Sequence, residues 1–279
     1  MARGIGAFFM ATLVIWVVSV LFFILFNKRT ELLPIVAGFI FYQSANWVIR
    51  NFSSSRNNPL FVNTSVSLLH SSTTSASILF ILANQWIVMT SSSDVINQMF
   101  EHSQLVVHTW PGAYTALCFS CGYFAYDQLD MLLYNLYTSP SILVHHLLLL
   151  VCFTLALYKN VTINYLILTL ICELHSVFLH LRKVRRMAGF RDSTSNFVKV
   201  EWVLNLTSFV VARVGCHVLI TVKLIRDGSK FEKGGVELPL ALFGMAGMNL
   251  LNVFLGVDLF KAYRREMNPQ RRSYENHRD

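Results

Sequence analysis

Pro140-Ser141-Ile142-Leu143-Val144-His145-His146-Leu147-Leu148-Leu149-Leu150-Val151 sets two adjacent histidines inside an apolar run that continues to Tyr158. A helix crosses bilayer hydrocarbon in about 20 residues, so the run is of spanning length. Ionisable side chains within a span are costly to bury, and by default they mark a pathway, a ligand or a reaction. The rest of the chain supplies what surrounds the pair.

The 279 residues are 54% hydrophobic and 14% charged, against about 25% charged in a soluble domain. The chain is therefore read as a polytopic, all-α membrane bundle. Its formal charge of +8 speaks of loop orientation and anionic headgroups, not of nucleic acid. All five cysteines (Cys118, Cys121, Cys152, Cys172, Cys216) lie in apolar runs. Cys118-x-x-Cys121 has redox or zinc spacing, but no second pair completes a site, and small buried hydrophobes are the simpler reading.

Working outward, the apolar runs are Ile5–Phe26, Leu32–Ile49, Val66–Met89, Pro111–Leu133, Pro140–Tyr158, Val161–Leu181, Val200–Leu224 and Val236–Phe260. The first is read as a retained anchor, because its apolar core exceeds the 7–15 residues of a signal peptide. The second carries Gln43, Ser44 and Asn46, which leaves an interfacial or re-entrant helix open. The chain divides into residues 1–58 (anchor helices and a polar linker), 59–263 (the core) and 264–279 (a basic tail). Lys and Arg favour the cytosolic side. Arg182, Lys183, Arg185, Arg186, Arg191 and Lys199, together with Lys261, Arg264, Arg265, Arg271, Arg272 and Arg278, place that loop and the tail there, and an even number of spans adds Arg3. Lys223, Arg226, Lys230 and Lys233 then face outward, against the trend.

At about 1.5 Å per helical residue, His146 lies roughly 10 Å and Glu173 roughly 13 Å from the cytosolic ends of consecutive antiparallel spans. By the same measure Arg213 lies roughly 20 Å deep. An arginine at that depth must pair, and Glu173 is the evident partner. Glu173, Ser176 and His180 share one helical face. Asp127 and Asp130 are one turn apart near a cytosolic end, and His70 lies a short distance into the first core span. A histidine beside a carboxylate can serve as a general base. Three candidates for catalysis result: His145, His146 and Glu173. A lipid-binding set would comprise His70, Asp127, His145, His146, Glu173, Ser176 and Arg213. The bland readings stand beside these. His145 and His146 point about 100° apart, so one of them can simply bond a neighbouring helix, and Arg213–Glu173 can be a packing tie. His175 and His180 read as interfacial. No metal is expected, since no His-x-x-x-His face is present, and phosphate-cradling glycine loops and a nucleophile elbow are missing.

Leu69-His70-Ser71, Gly122-Tyr123-Phe124-Ala125-Tyr126-Asp127, Val144-His145-His146 and Cys172-Glu173-Leu174-His175-Ser176-Val177-Phe178-Leu179-His180-Leu181-Arg182-Lys183 are the stretches that resemble the TLC domain family. That family includes ceramide synthases and the translocon-associated TRAM proteins, and the resemblance runs from about Phe61 to Tyr263. Ceramide synthases follow the His-His pair with His-Asp-x-x-Asp; here those positions hold Cys172, Glu173 and Ser176, so the motif's His and second Asp are missing. The pattern is more similar to the non-synthase branch, the TLC domain-containing proteins 1 and 2. That resemblance implies a plasma-membrane protein that limits incorporation of polyunsaturated chains into phospholipids and so tunes membrane fluidity. The extra N-terminal span and the Met89–Trp110 outer loop depart from the branch and leave the endoplasmic reticulum as an alternative compartment.

The expectation is a six-helix TLC core with one or two added N-terminal spans and a cavity opening toward the cytosolic leaflet. Its partners are membrane phospholipids and fatty acyl chains, with a homo-oligomer left open, and no cofactor is needed. The alternative is an acyltransferase of ceramide-synthase type that uses acyl-CoA and acts through the His-His pair. A chaperone-like membrane partner without a lipid cavity is the third reading.

Overall fold

The computed structural model describes residues 2–53, 55, 58–90, 94–137, 140–190, 195–232 and 234–267. The cations Arg191, Lys233, Arg271, Arg272 and Arg278, and the side chain of Arg3, lie outside that description. Every regular element among the described residues is helical. In order they are α1 (Ala2–Leu25), α2 (Leu33–Phe52), α3 (Pro59–Met89), the short α4 (Val95–Met99) and α5 (His102–Val106), α6 (Ala113–Leu133), α7 (Pro140–Lys159), α8 (Ile163–Thr169), α9 (Glu173–Met187), α10 (Asn196–Ser208), α11 (Cys216–Arg226) and α12 (Glu237–Met267).

Local chemistry sets the ends. Asn58 caps α3, its side-chain oxygen accepting from the backbone N–H groups of Leu60 and Phe61, with Pro59 in the first turn where its missing N–H costs nothing. This start lies seven residues before the apolar run begins, because Asn63 and Thr64 are buried against protein rather than exposed to lipid. Ser195 caps α10 through Phe197 N–H. Gly189, at φ +77°, follows the C-terminus of α9, where left-handed backbone favours glycine.

Among the described residues, seven stretches are long and apolar enough to cross a membrane: Gly4–Leu25, Thr30–Phe52, Pro59–Met89, Ser141–Lys159, Ile163–Met187, Asn196–Arg226 and Glu237–Met267. The eighth long helix, α6, runs parallel to α2 and antiparallel to α3 and α7. It carries Asp127, Gln128 and Asp130, all buried against neighbouring helices rather than lipid. This placement suits a bilayer, where polar side chains in a span turn toward the bundle interior.

Polar α2 is a full helix in this packing, not a re-entrant segment. Gly38 on α2 and Gly122 on α6 bring the two backbones into direct contact, the small-residue device by which membrane helices approach closely. α1 docks on α7 through Trp16 Nε1 donating to Thr154 Oγ1 at 2.7 Å and Phe23 stacked on Tyr158 at 3.8 Å. Lipid-facing surface remains around the outside: Ile15, Val18, Phe80, Val211, Leu219 and Phe254 are among the exposed apolar side chains.

Of the outward cations that run against the orientation rule, Lys223 and Lys230 both pair with Asp227, Lys230 at 3.2 Å. On that face, too, α7's last residue Lys159 bonds Glu237, the first of α12, at 2.5 Å.

Candidate functional site

Two long helices are irregular at the same depth, and that shapes the site. The Asn196–Arg226 rod is α-helical except for Phe209–Gly215, a π-helical stretch that widens the coil midway. The Ile163–Met187 rod is interrupted by a tight 3-10 turn at Leu170–Cys172. Such departures shift which way each side chain points, and π segments often sit at functional sites.

Arg213 comes from the π stretch and reaches across to this turn. Its Nε donates to His175 Nδ1 at 3.0 Å, and an Nη donates to Ser176 Oγ at 2.6 Å and to the Cys172 carbonyl at 3.4 Å. His175 must then carry its proton on Nε2, which lies 3.2 Å from Asn205 Oδ1. A charged guanidinium deep in the bundle is thus held by neutral acceptors. This corrects the expected Arg213–Glu173 tie, because no ion pair joins the two among the described residues. Glu173 instead has the Cys172 thiol 4.0 Å away and lines the cavity. It also corrects the interfacial reading of His175, which is fully buried.

His145, Glu173, Arg213 and His217 form one end of a partly open cavity among α6, α7, α8, α11 and α12. From there the walls are apolar: Phe124, Leu148, Leu149, Phe153, Tyr165, Leu166, Ile220, Leu224, Met245 and Met248. The lining extends to Thr162, Leu224 and Ala241, at or near the outer ends of α8, α11 and α12. The cavity therefore runs from mid-membrane toward the α8, α11 and α12 ends that the Lys/Arg distribution assigns to the outer face, whereas the sequence predicts an opening toward the cytosolic leaflet. His217 is a saturated wall residue: its Nδ1 accepts from Asn252 Nδ2 at 2.7 Å and its Nε2 lies 3.2 Å from the Thr169 carbonyl. His145, by contrast, has a buried Nδ1 without a protein partner.

His146 faces the other way. Its Nε2 lies 3.5 Å from Asp127 Oδ2 in a separate polar cluster near the inner ends of α2, α3, α6 and α7. Asn63 Nδ2 bridges Asp127 Oδ1 at 2.7 Å and Asp130 Oδ2 at 3.0 Å. Asn46 reaches Tyr126 at 2.6 Å and Asp130 at 3.1 Å, and Arg50 pairs with Asp130 at 3.3 Å over the ring of Tyr134. His70 belongs to neither group, since it stacks on Tyr123 at 3.6 Å with Nδ1 3.2 Å from the Tyr42 hydroxyl.

The seven residues proposed from sequence thus separate into a cavity end (His145, Glu173, Arg213, with Ser176 bracing the arginine), an inner cluster (Asp127, His146) and an aromatic pocket (His70). Sequence reasoning missed His217, Asn63, Asn205 and the bracing role of His175. A lone histidine or asparagine inside an apolar run was the available signal, and it does not say which neighbour it meets.

With this geometry in hand, the family model described as the TLC domain matches residues 60–261. TLC domain-containing protein 2 of Danio rerio is 31% identical over 144 residues, 51% of this chain and 57% of its own length. Human TLC domain-containing protein 1 is 23% identical over 167 residues, covering 60% of this chain and 64% of its own. Human TLC domain-containing protein 2 is 26% identical over 234 residues, covering 80% and 78%. The first two alignments thus span less than two thirds of those relatives. No solved structure matches the chain.

Proposed function

Since this chain belongs to the TLC domain family, we propose that it is a lipid-homeostasis protein that holds an acyl chain in the cavity below His145. Through that binding it regulates phospholipid acyl composition and membrane fluidity, limiting incorporation of polyunsaturated chains, with the plasma membrane as its site of action. One observation carries this reading: a cavity with long, mainly apolar walls and its ionisable groups, His145, Glu173, Arg213 and His217, gathered at one end. Apolar walls take a hydrocarbon chain without loss of hydrogen bonds, and Arg213, Glu173 and His145 supply polar contacts for a carbonyl or headgroup oxygen. No cofactor enters this mechanism.

A second reading has its own support. His145 has an unpartnered nitrogen and shares the cavity wall with Glu173, as a general base and its neighbouring carboxylate would in an acyltransferase using acyl-CoA. In that case the basic inner end of α9 attracts the coenzyme's phosphates.

Phospholipid acyl profiling by mass spectrometry tests the first reading in cells lacking the protein, restored with wild type, His145→Ala or Leu148→Trp at matched abundance. Wild type should correct the profile and both variants should fail. Equal correction by all three would place the activity outside the cavity. Acyl transfer from acyl-CoA by the purified protein, lost in His145→Ala, would favour the enzyme.

A further inference from the structure

Next to the cavity, between α7 and α12, lies a second, partly open hollow. It is walled by Leu155, Ala156, Val161, Val236 and Leu240, and it shares Cys152, Thr162, Leu166 and Ala241 with the main cavity. The helix contact explains its shape. α12 presents Gly244 and Gly247 to α7, so close that an added Cβ would lie 3.2 Å from Cys152 Sγ and 3.0 Å from Leu148 Cδ2 respectively. Glycines let the helices touch at that level. One to two turns further out, Val236 just before α12, Leu240 on it, and Leu155 and Ala156 on α7 line a gap instead. The gap is bridged at its outer rim by Lys159 and Glu237, 2.5 Å apart.

The outer aqueous end of α8 is covered. α5 is fastened over the bundle by Thr162 N–H donating to the Val106 carbonyl at 2.9 Å, and by Asn164 Nδ2 donating to the carbonyls of Gln104 at 2.6 Å and His108 at 3.1 Å. Asn164 Oδ1 in turn accepts from Trp110 N–H at 3.0 Å. The side toward the bilayer is left. We propose that the α7–α12 gap is the lateral entrance by which a lipid acyl chain passes between the outer leaflet and the cavity, with the Lys159–Glu237 pair as its latch. The occupant follows from position and chemistry: the gap lies between two membrane-spanning helices, its walls are mainly apolar, and it adjoins the cavity across four shared lining residues. A partly exposed ion pair at helix ends is weak, which suits a closure that must open repeatedly. The inference rests on the acyl-chain reading above.

An entrance and a binding site respond differently to obstruction. Narrowing an entrance slows entry and exit together and leaves the equilibrium unchanged. The test uses full-length protein in phosphatidylcholine nanodiscs, supplied from vesicles with phosphatidylcholine bearing one diazirine-tagged chain. Flash cross-linking at intervals follows labelling of cavity residues, and dilution with untagged vesicles follows release. Leu155→Trp and the more conservative Ala156→Val should each slow both rates, Leu155→Trp at least tenfold, with the final yield unchanged. Glu237→Gln should speed both several-fold. Wild-type rates in all three variants would overturn the entrance, as would a lower final yield with unaltered rates. If Leu155→Trp abolishes a dimer and leaves rates alone, the gap seats a second copy, and the proposal is equally lost. Absence of cavity labelling in the wild type would instead sink the acyl-chain reading itself.

Discussion

Gly122→Ala should be among the most damaging single methyl additions in this protein. A Cβ there would lie 2.3 Å from the Ile35 carbonyl oxygen and 2.7 Å from Phe39 N, on the backbone of α2. Ordinary contact begins near 3.4 Å, so α2 and α6 must part by 3.4 − 2.3 = 1.1 Å. Backbone cannot swing aside as a side chain does, so relief has to come from moving a helix. Overpacking costs about 1–3 kcal/mol. The same displacement stretches Asn46–Tyr126 (2.6 Å), Asn46–Asp130 (3.1 Å) and Arg50–Asp130 (3.3 Å), of which the last two have little length to spare. Each weakened buried bond adds roughly 1 kcal/mol, for a total of about 3–5 kcal/mol. In reversible unfolding in mixed detergent micelles this should lower the midpoint by about 10 °C. Gly4→Ala, with nothing within 4 Å of its Cβ, is the neutral control. Gly256→Ala meets only the Phe209 ring at 2.9 Å, so Phe209→Leu should rescue it, whereas no side-chain change should rescue Gly122→Ala. A Gly122→Ala protein within about 0.5 kcal/mol of wild type, a margin typical of an innocuous surface change, or one restored by Ile35→Ala, would refute the backbone-contact argument.

Arg213→Met strips donors from His175, Ser176 and the Cys172 carbonyl; we expect a loss of about 3 kcal/mol by melting and of tagged-lipid capture. Arg213→Lys should fail to restore capture, because a compact ammonium cannot reproduce the planar fork. Asn63→Leu removes the amide between Asp127 and Asp130 and should cost about 2–3 kcal/mol, with a further drop when His146→Ala is added. Leu148→Trp should fill the cavity and abolish lipid capture, and because Leu148 also packs closely against Gly247 of α12 it should cost about 1–3 kcal/mol as well. The outer cap should loosen in acid. Burial holds His102 below its ordinary pKa, and Lys230 and Lys223 add to this against the opposing pull of Asp227. Unfolded chains therefore bind the extra proton first, and the cap loses stability as pH falls below about 6.5. Burial alone would raise the Asp227 pKa, but hydrogen bonds from Lys223 and Lys230 outweigh it and hold the carboxyl low, so its contribution fades only as pH falls below about 4. Protection of α5 amides, relative to their intrinsic exchange rates at each pH, should fall between pH 7 and 5, and His102→Gln should flatten that fall.

Much of the architecture was legible because it depends on local composition. Apolar runs of spanning length predicted each long helix to within a few residues at most ends, and α3 began earlier only because its first turn is buried against protein. The site was legible in part. Histidine, glutamate and arginine at similar depth announced a polar locus, but depth is a one-dimensional quantity. Assigning Glu173 to Arg213 required both to face the same way, and the 3-10 turn before Glu173 and the π stretch around Arg213 turned them to different neighbours.

By itself, then, the sequence determined that the chain is a helical membrane bundle, where its spans lie, and that charged groups sit at mid-depth, since hydropathy and helical rise are properties of contiguous residues. Only the tertiary structure decided that His145 looks into a cavity while His146 meets Asp127, that neutral His175 and Ser176 brace Arg213, and that the cavity rises toward the outer face beside α12. Adjacent residues on a helix diverge by about 100°, so what each one meets is set by the helix beside it, and that neighbour is chosen by contacts such as Gly38 against Gly122, far apart in the chain.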